Sequence, residues 1–329
     1  MSLRGMQGLQ WHWYRITPLH LLLLPLSLLF LLISALRRLL YRNKVLSSIK
    51  LPVPVIIVGN ITVGGTGKTP ATLWLARQLL TNGWHPVIIS RGFGGSNSKP
   101  QKVQNDSNPA NVGDEPVLMA QRSLCPVWVG RDRPAVAQAA LLAHPECDII
   151  ISDDGLQHYR LQRNVELAVV DGQRRFGNNL LLPAGPLRES ITRLDKVDAV
   201  ICNGSQPSPG EYSMQLEGVH FYNLLNPEVT ATAADFMGKA VHAIAGIGHP
   251  ERFFQHLTKL GLKAQCHIYP DHHAYKASDL VYDDASALLM TEKDAVKCQA
   301  FADEKCWALR VDAHMDPALI QLILKKLAH

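Results

Sequence analysis

The first 105 residues of this 329-residue chain contain no aspartate or glutamate, although they contain twelve lysines and arginines. The first carboxylate is Asp106, and the remaining residues carry 21 basic and 28 acidic side chains, a balance of −7. A basic front and an acidic rear indicate that the N-terminal part meets a negatively charged surface, either a membrane or a nucleic acid.

The chain also lacks closely spaced cysteines. None of its six cysteines forms a Cys-x-x-Cys pair, which leaves a zinc ribbon or a thioredoxin-type centre unsupported. Scattered cysteines in a large chain are typical of reduced core residues, so we expect a cytosolic body. A hydrophobic fraction of 47% excludes a disordered chain, and the length suggests two domains or one large α/β domain with additions.

The N-terminal region contains a long apolar run. No formal charge occurs in the 21 residues between Arg15 and Arg37, and residues 19–36 include eleven leucines. This length is close to what is needed to cross a hydrocarbon core of about 30 Å. A cleaved signal peptide is disfavoured, because Arg37 and Arg38 stand where small residues should form the cleavage site.

Three interpretations of this run stay open: a helix lying in the membrane interface, a single span and a buried core helix. Pro25 in mid-run argues against a simple span, as do basic residues on both flanks, namely Arg4, Arg15, Arg37, Arg38, Arg42 and Lys44. His20, Ser27 and Ser34 would form one polar stripe on a helix, continued by Arg38. We favour a monotopic or partly embedded helix, and either membrane arrangement places the body on the cytoplasmic side.

The body alternates apolar runs typical of buried strands with helical periodicity. We expect strands over residues 54–58, 87–90, 127–129, 148–152, 165–170 and 199–202, helices over 70–80 and 135–143, and a loop over 96–113. This alternation predicts an α/β fold, with a mainly parallel sheet covered by helices on both faces.

A Pro-, Ser- and Gly-rich stretch at residues 205–210 marks a boundary. Beyond it we expect a connecting strand at 219–224 and a smaller α/β lobe built from residues 241–245, 252–259, 264–268 and 288–291. The predicted organisation is therefore a membrane-associating segment at 1–50, a core at 51–212, and hinge strands with a C-terminal lobe at 213–329.

The strongest motif lies between a predicted strand and a predicted helix. It reads Thr62-Val63-Gly64-Gly65-Thr66-Gly67-Lys68-Thr69, a phosphate-binding loop whose usual first glycine is replaced by Thr62. Backbone N–H groups of such a loop point at phosphate oxygens, Lys68 can reach the β- and γ-phosphates, and the Thr69 hydroxyl can bind Mg²⁺. The alternative is a glycine-rich turn without a ligand.

A second acidic site should hold the metal. Residues 148–152 form an apolar strand followed by Asp153 and Asp154, and in a parallel sheet this strand end shares an edge with the phosphate loop. Either aspartate is therefore a candidate Mg²⁺ ligand, although turn chemistry alone would explain one of them. No Asn-Lys-x-Asp guanine motif occurs, which favours ATP as the nucleotide.

Seven short motifs occur in order along the chain. They are Gly59-Asn60-Ile61-Thr62-Val63-Gly64-Gly65-Thr66-Gly67-Lys68-Thr69-Pro70, Ser90-Arg91-Gly92-Phe93, Val112-Gly113-Asp114-Glu115-Pro116, Asp153-Asp154-Gly155-Leu156-Gln157-His158, Pro183-Ala184-Gly185-Pro186-Leu187-Arg188-Glu189, Ala245-Gly246-Ile247-Gly248 and Pro270-Asp271-His272-His273. Together with the apolar helix ending in Arg-Arg-Leu-Leu-Tyr, they resemble the tetraacyldisaccharide 4′-kinase family, the lipid A 4′-kinases of Gram-negative bacteria.

The resemblance implies phosphoryl transfer from ATP, with Mg²⁺, to the 4′-hydroxyl of a tetraacyldisaccharide 1-phosphate, the step that forms lipid IVA. It implies a P-loop NTPase-like core with a smaller C-terminal lobe, at the cytoplasmic face of the bacterial inner membrane. The expected partners are this glycolipid and the membrane surface. We expect no nucleic acid and no obligate protein partner.

The resemblance also suggests roles for single residues. Asp114 would be the base that accepts the hydroxyl proton, and His272, or its neighbour His273, would orient it. Arg91 would bind either the lipid phosphate or the ATP phosphates. The weaker assignments are Arg188 on the substrate side, Glu189 as a metal-linked group and His158 beside the nucleotide.

Two other classes of function compete with a kinase. A membrane-attached P-loop ATPase acting as a switch or partitioning factor would suit the phosphate loop, but the extra lysine of that class is absent at Thr62 and Val63. A binding-only scaffold is disfavoured, because candidate metal ligands and a candidate base are both present.

Overall fold

A computed structural model of the chain describes residues 12–15 and 17–328. Part of the predicted membrane-associating segment, including Arg4, lies outside these residues. The described helices are α1 (Leu19–Arg42), α2 (Lys68–Thr81), α3 (Pro109–Val112), α4 (Asp114–Arg122), α5 (Arg133–Ala143), α6 (Pro250–Lys259), α7 (Glu292–Cys298) and α8 (Ala318–Leu327), with 3₁₀ turns at Ile191–Lys196, Ala233–Phe236, Ala277–Leu280 and Gln299–Phe301.

The larger of two sheets has nine strands in the order β15-β8-β7-β6-β1-β5-β2-β4-β3. These strands are β1 (Val55–Gly59), β2 (Pro86–Ser90), β3 (Gln101–Val103), β4 (Val127–Val129), β5 (Ile149–Asp153), β6 (Val165–Asp171), β7 (Ala199–Asn203), β8 (Glu211–Glu217) and β15 (Asp312–Met315). All neighbours are parallel except at the two edges, where β3 and β15 pair antiparallel with β4 and β8.

Helices cover both faces of the large sheet because its central strands are apolar on both sides. Ile56 and Val58 of β1 pack into a core with α2, α4 and α8, while Val55 and Ile57 pack into a second core with α5. Alternate residues of a strand point to opposite faces, so a continuous apolar run requires a cover on each face.

The smaller sheet has six strands in the order β10-β9-β14-β13-β11-β12. They are β9 (His220–Asn223), β10 (Thr230–Thr232), β11 (Val241–Ala245), β12 (Ala264–Ile268), β13 (Ala287–Thr291) and β14 (Cys306–Leu309). The four strands β14-β13-β11-β12 are parallel, with α6 packed on one face and α7 on the other.

The helix α1 is apolar enough and long enough to cross a membrane, with a mean hydropathy of 2.5 and 11% of its most apolar stretch buried. Its polar stripe faces the protein: His20 and Ser27 are its two buried side chains. The leucines of the opposite side are the exposed residues of this helix.

Two differences from the sequence-based expectations concern short elements. The stretch at 96–113 is not a continuous loop, because it contains β3 and α3. Asp114 begins α4, a helix that is not among those expected from the sequence. Both were missed because β3 has only three residues, two of them exposed, and α4 is short.

The division of the chain into segments at residues 50 and 212 remains a prediction. Sheet membership does not follow it, because β8 and β15 both join the large sheet, and α8 contributes Leu319 and Ile323 to the same core. The chain therefore leaves the large sheet after β8 and returns to it at β15.

Candidate active site

The phosphate loop connects β1 to α2 and depends on glycine at two positions. Gly64 and Gly67 have φ angles of 104° and 95°, a region that favours glycine. A Cβ on Gly67 would lie 2.4 Å from the side-chain nitrogen of Asn203, which itself donates to the carbonyl of Thr66 at 2.9 Å. Asn203 thus holds the loop from the end of β7.

The other side of the loop is held by the segment before Glu189. Thr62, which stands where such loops usually have their first glycine, forms an isolated antiparallel bridge with Leu187. The Val63 N–H donates to the carbonyl of Pro186 at 2.8 Å, and the Arg188 N–H donates to the carbonyl of Ile61 at 2.7 Å. Backbone pairing accommodates a side chain at Thr62, which explains the departure from the usual motif.

Asp154 faces the cations of the site. Its Oδ1 lies 3.6 Å from Lys68 Nζ, and Arg188 Nη1 lies 3.2 Å from Oδ2. Burial alone would raise the pKa of Asp154, but the charges of Lys68 and Arg188 outweigh burial and hold the pKa well below its usual range. Asp154 is therefore an ionised carboxylate next to the lysine of the phosphate loop.

Asp153 has a different environment, inside the fold. It is 1% exposed and accepts hydrogen bonds from Thr72 at 3.3 Å and Ser90 at 3.4 Å. Burial, followed by the charge of Glu115, raises the pKa of Asp153. The fully buried Arg133 donates to its backbone carbonyl at 2.7 Å, so this aspartate links β5, β2 and α2 from within.

Asp114 and His272 come together although 158 residues separate them, with His272 Nδ1 at 3.0 Å from Asp114 Oδ2. His273 instead contacts Asp279 at 3.1 Å, so only the first histidine of the pair reaches Asp114. Burial would raise the pKa of Asp114, but the hydrogen bond from His272 and the charge of Lys293 outweigh it and lower the pKa to about 2.

A cavity of about 680 Å³ lies between the two sheets. Its wall includes residues 63–70 of the phosphate loop, Asp154 and Arg188, and on the opposite side Asp271, His272 and Lys293. This volume is in the range of small-molecule sites. The phosphate loop and the Asp114–His272 pair therefore lie at the same cavity. His272 is part of the wall, and Asp114, which is 5% exposed, lies behind His272.

Several predicted site residues do not reach this cavity. Among the described residues, its wall does not include Thr62, Arg91, Asp153, His158 or Glu189. Glu189 is 2% exposed and binds Arg38 at 3.1 Å, Gln157 at 3.1 Å and the Tyr159 hydroxyl. Burial, followed by the charge of Arg133, lowers the pKa of His158 to about 4, so it is a neutral imidazole.

Comparison with known proteins identifies the family. The family model described as "LpxK: Tetraacyldisaccharide-1-P 4′-kinase" matches residues 19–328. The chain belongs to this kinase family. It is 51% identical over 319 residues to the tetraacyldisaccharide 4′-kinase of Methylobacillus flagellatus, covering 97% of this chain and 95% of the relative. It is 50% identical over 329 residues to that of Dechloromonas aromatica, covering 97% of each.

A solved structure of the kinase family has the same fold. The crystal structure of LpxK from Aquifex aeolicus in complex with ATP matches with a TM-score of 0.78 and 30% identity, covering 94% of this chain and 99% of that one. The predicted resemblance, fold class and kinase activity are thereby confirmed. The roles of individual site residues stay predictions.

The sequence interpretation missed some residues at the cavity of this kinase. Lys293 contacts Glu115 at 3.1 Å, and Arg174 donates to the phosphate-loop carbonyl of Gly65 at 2.5 Å. Lys293 lies in Thr291-Glu292-Lys293-Asp294, which is not one of the seven motifs found in the sequence. Arg174 gives no sequence signal, because one arginine after a strand is common on protein surfaces.

Proposed function

We propose that this kinase transfers the γ-phosphate of ATP to the 4′-hydroxyl of a tetraacyldisaccharide 1-phosphate at the cytoplasmic face of the inner membrane. The observation that carries the proposal is the single cavity that joins Lys68 and Thr69 to the Asp114–His272 pair. Phosphoryl transfer needs a cradle for the nucleotide phosphates and a group that assists the attacking hydroxyl, both within reach of one site.

The nucleotide phosphates would lie on the loop at residues 64–69. The loop leads into α2, whose N-terminal N–H groups and positive dipole end favour an anion there. In the cavity wall, the Lys68 ammonium lies 3.6 Å from Asp154 Oδ1. A phosphate bound on the loop would contact the same ammonium. Neutralising charge on the transferred phosphoryl group is the main contribution that such a site makes to the rate.

Thr69 and Asp154 fit a Mg²⁺ ion. Both line the cavity, and a hydroxyl with one ionised carboxylate is the partial oxygen set that Mg²⁺ accepts together with phosphates and water. The metal would neutralise charge on the β- and γ-phosphates. Asp153 and Glu189 fit this role less well, since both carboxylates are buried and bonded to other side chains.

The Asp114–His272 pair would act as the general base, with Asp114 as the final proton acceptor. His272 Nδ1 donates to Asp114 and fixes the position of the carboxylate. The low pKa of Asp114 keeps it ionised at neutral pH, so that its carboxylate can accept a hydrogen bond. A sugar hydroxyl is a weak nucleophile, so partial removal of its proton in the transition state assists the attack.

Membrane attachment would come from the outer face of α1. Exposed leucines cover this face, and basic residues follow it, a combination suited to an anionic lipid surface. Arg91 is exposed at the end of β2 and does not line the nucleotide cavity, which favours the lipid phosphate as its partner. Arg188 would act on Asp154 rather than on the lipid.

The test uses the purified protein with dispersed glycolipid, ATP and Mg²⁺. Mass detection of a lipid that gains one phosphate, abolished by a metal chelator, is the expected result. An ATPase switch would instead release inorganic phosphate without lipid phosphorylation. A failure to phosphorylate the lipid when both ATP and Mg²⁺ are present would overturn the proposal.

A further inference from the structure

Lys293 lies against the side of His272 that faces away from Asp114. Its Nζ is 3.4 Å from His272 Nε2, 3.1 Å from Glu115 Oε1 and 3.4 Å from Asp271 Oδ1. The side chain is 17% exposed and lines the cavity, in the first turn of α7. The imidazole is thus held between a carboxylate at one nitrogen and an ammonium group at the other.

The hydrogen-bonding capacities of Asp114 and Lys293 determine which ring nitrogen of His272 carries the hydrogen. A lysine ammonium only donates hydrogen bonds, so His272 Nε2 must carry the lone pair that faces it. An ionised carboxylate only accepts, so His272 Nδ1 must carry the hydrogen that faces Asp114. The two contacts are satisfied together only by the neutral imidazole with its hydrogen on Nδ1.

We infer that Lys293 is a positioning residue that fixes His272 in the neutral Nδ1–H tautomer and so keeps Asp114 as a hydrogen-bonded carboxylate. The inference rests on the proposed role of the Asp114–His272 pair. Asp271 is the competing neighbour, because its Oδ1 lies 3.8 Å from Nε2 and would attract a proton there. Lys293 contacts this same oxygen and reduces its pull on the imidazole.

Loss of the ammonium changes the protonation of the imidazole. Without Lys293, the carboxylate of Asp271, 3.8 Å from Nε2, and that of Glu115, which Lys293 also binds, both lose their cation and favour a proton at Nε2. His272 would then be an imidazolium ion bound to Asp114. A positive partner makes Asp114 a weaker base, so the proton-transfer step slows while nucleotide binding stays unchanged.

The primary test is the ¹⁵N spectrum of the histidine side chains in the intact, detergent-dispersed protein. The His272→Gln variant assigns the His272 signals by their disappearance. In the unmodified protein we expect a protonated Nδ1 and an unprotonated Nε2. A hydrogen on Nε2, in either the neutral or the charged ring, would overturn the inference whatever the variants do.

Variants test the assignment to Lys293. Lys293→Met, or Lys293→Gln if the former does not fold, should add a proton to Nε2 and lower kcat by about 10- to 100-fold, less than the loss of a whole general base. KM for ATP should not change, and Lys293→Arg, which keeps a cationic donor, should restore both the tautomer and most of kcat. An unchanged Nε2 signal in the neutral variant that folds would overturn the inference.

Lys297→Met is the matched control. Lys297 lies one turn further along α7 and binds Asp294 at 2.9 Å instead of His272. Its loss should leave the His272 tautomer unchanged, and an equal effect would mean that any nearby cation suffices, contrary to the inference. If Asp114→Ala retains activity while the tautomer is as expected, the base assignment fails and the tautomer assignment stands.

Discussion

At the scale of single residues, Lys68 carries the most direct prediction. Lys68→Ala removes the ammonium that would offset the charge of the β- and γ-phosphates, and we expect turnover to fall by orders of magnitude. Arg188 still binds Asp154 in this variant, so the melting temperature should change little. Steady-state kinetics and thermal unfolding of the purified variant measure both.

Arg77→Ala is the control for Lys68. It removes a cation from the same helix, but its side chain is 58% exposed, and among the described residues its ion pair is with Asp312, at 3.7 Å. Its activity should match that of the unmodified protein. Near-normal activity in Lys68→Ala would contradict the phosphate-loop assignment.

The Asp114–His272 pair is expected to act as one unit. Asp114→Ala and His272→Ala should each lower kcat by about 10²–10⁴-fold while ATP binding stays nearly intact. The double variant should be little worse than the worse single one, since the second change removes a partner that has already lost its function. Additive losses on a logarithmic scale in this cycle would show independent roles.

His273→Ala separates the two neighbouring histidines. His273 contacts Asp279 and packs near Tyr269 and Tyr275, away from Asp114. We expect a moderate effect on stability and little effect on kcat. A larger loss of kcat than in His272→Ala would overturn the pairing seen here.

The sequence identified which residue types form the site better than it identified where their side chains point. It placed Asp153 and Asp154 at the right strand end but did not separate them. They differ because Asp154 adopts a φ of 48° and turns toward Lys68, whereas Asp153 points into the fold. Side-chain direction at the end of a strand depends on such backbone detail, which residue identity alone does not fix.

At the scale of elements, the polar stripe of α1 is a docking surface. Ser27 Oγ donates to the carbonyl of Leu181 at 2.9 Å and accepts from the Ala184 N–H at 3.0 Å. Residues 186–188 then pair with residues 61–63 of the phosphate loop. The segment at residues 181–188 therefore contacts both α1 and the phosphate loop.

Ser27→Ala should destabilise the protein by about 1–3 kcal/mol, because it leaves the buried Ala184 N–H without its acceptor and removes one of the two donors to the Leu181 carbonyl. We also expect a higher KM for ATP, since the segment that holds the phosphate loop loses its support. Ser34→Ala is the matched control: within the described part of the chain, Ser34 bonds only to Leu31 of its own helix, so its effect should stay within about 0.5 kcal/mol. Equal effects of the two substitutions would contradict the docking role.

Several strands could be predicted from the sequence, and the apolar residues of β4 and β11 report burial directly. Three of them, β4, β11 and β12, occur at the predicted bounds. The elements β8, β15 and α8 were missed, and their place depends on pairing between distant parts of the chain: Asp312–Met315 pairs with β8, nearly 100 residues earlier. Local periodicity does not show which of two sheets a short strand joins.

At the scale of the whole molecule, the N-terminal region has two tasks, and a single deletion would remove both of them at once. Its outer face suits a membrane, while Trp13, His20 and Ser27 hold residues 178–184 of the body. The sequence predicted the first task from the apolar run. It did not predict the second, because contacts between residues 12–27 and 178–184 exist only in the folded chain.

Removal of residues 1–36 should therefore release the protein from membranes and also lower its stability and kinase activity. The cations at residues 37–50 would leave some salt-sensitive binding. A triple variant, Leu22→Gln, Leu29→Gln and Leu32→Gln, changes only side chains that are 76%, 53% and 66% exposed. It should detach from membranes while its melting temperature and its activity on detergent-dispersed lipid stay near normal.

Sedimentation with membranes in high salt, thermal unfolding and kinase assays on dispersed lipid distinguish the two tasks. If the truncated protein sediments as fully as the intact one, α1 is not the anchor. If it is released but keeps full activity and stability, the Ser27 contacts do not support the phosphate loop. Loss of activity in the truncated protein alone, with the triple variant active, would place the second task on the polar stripe that packs against residues 181–184.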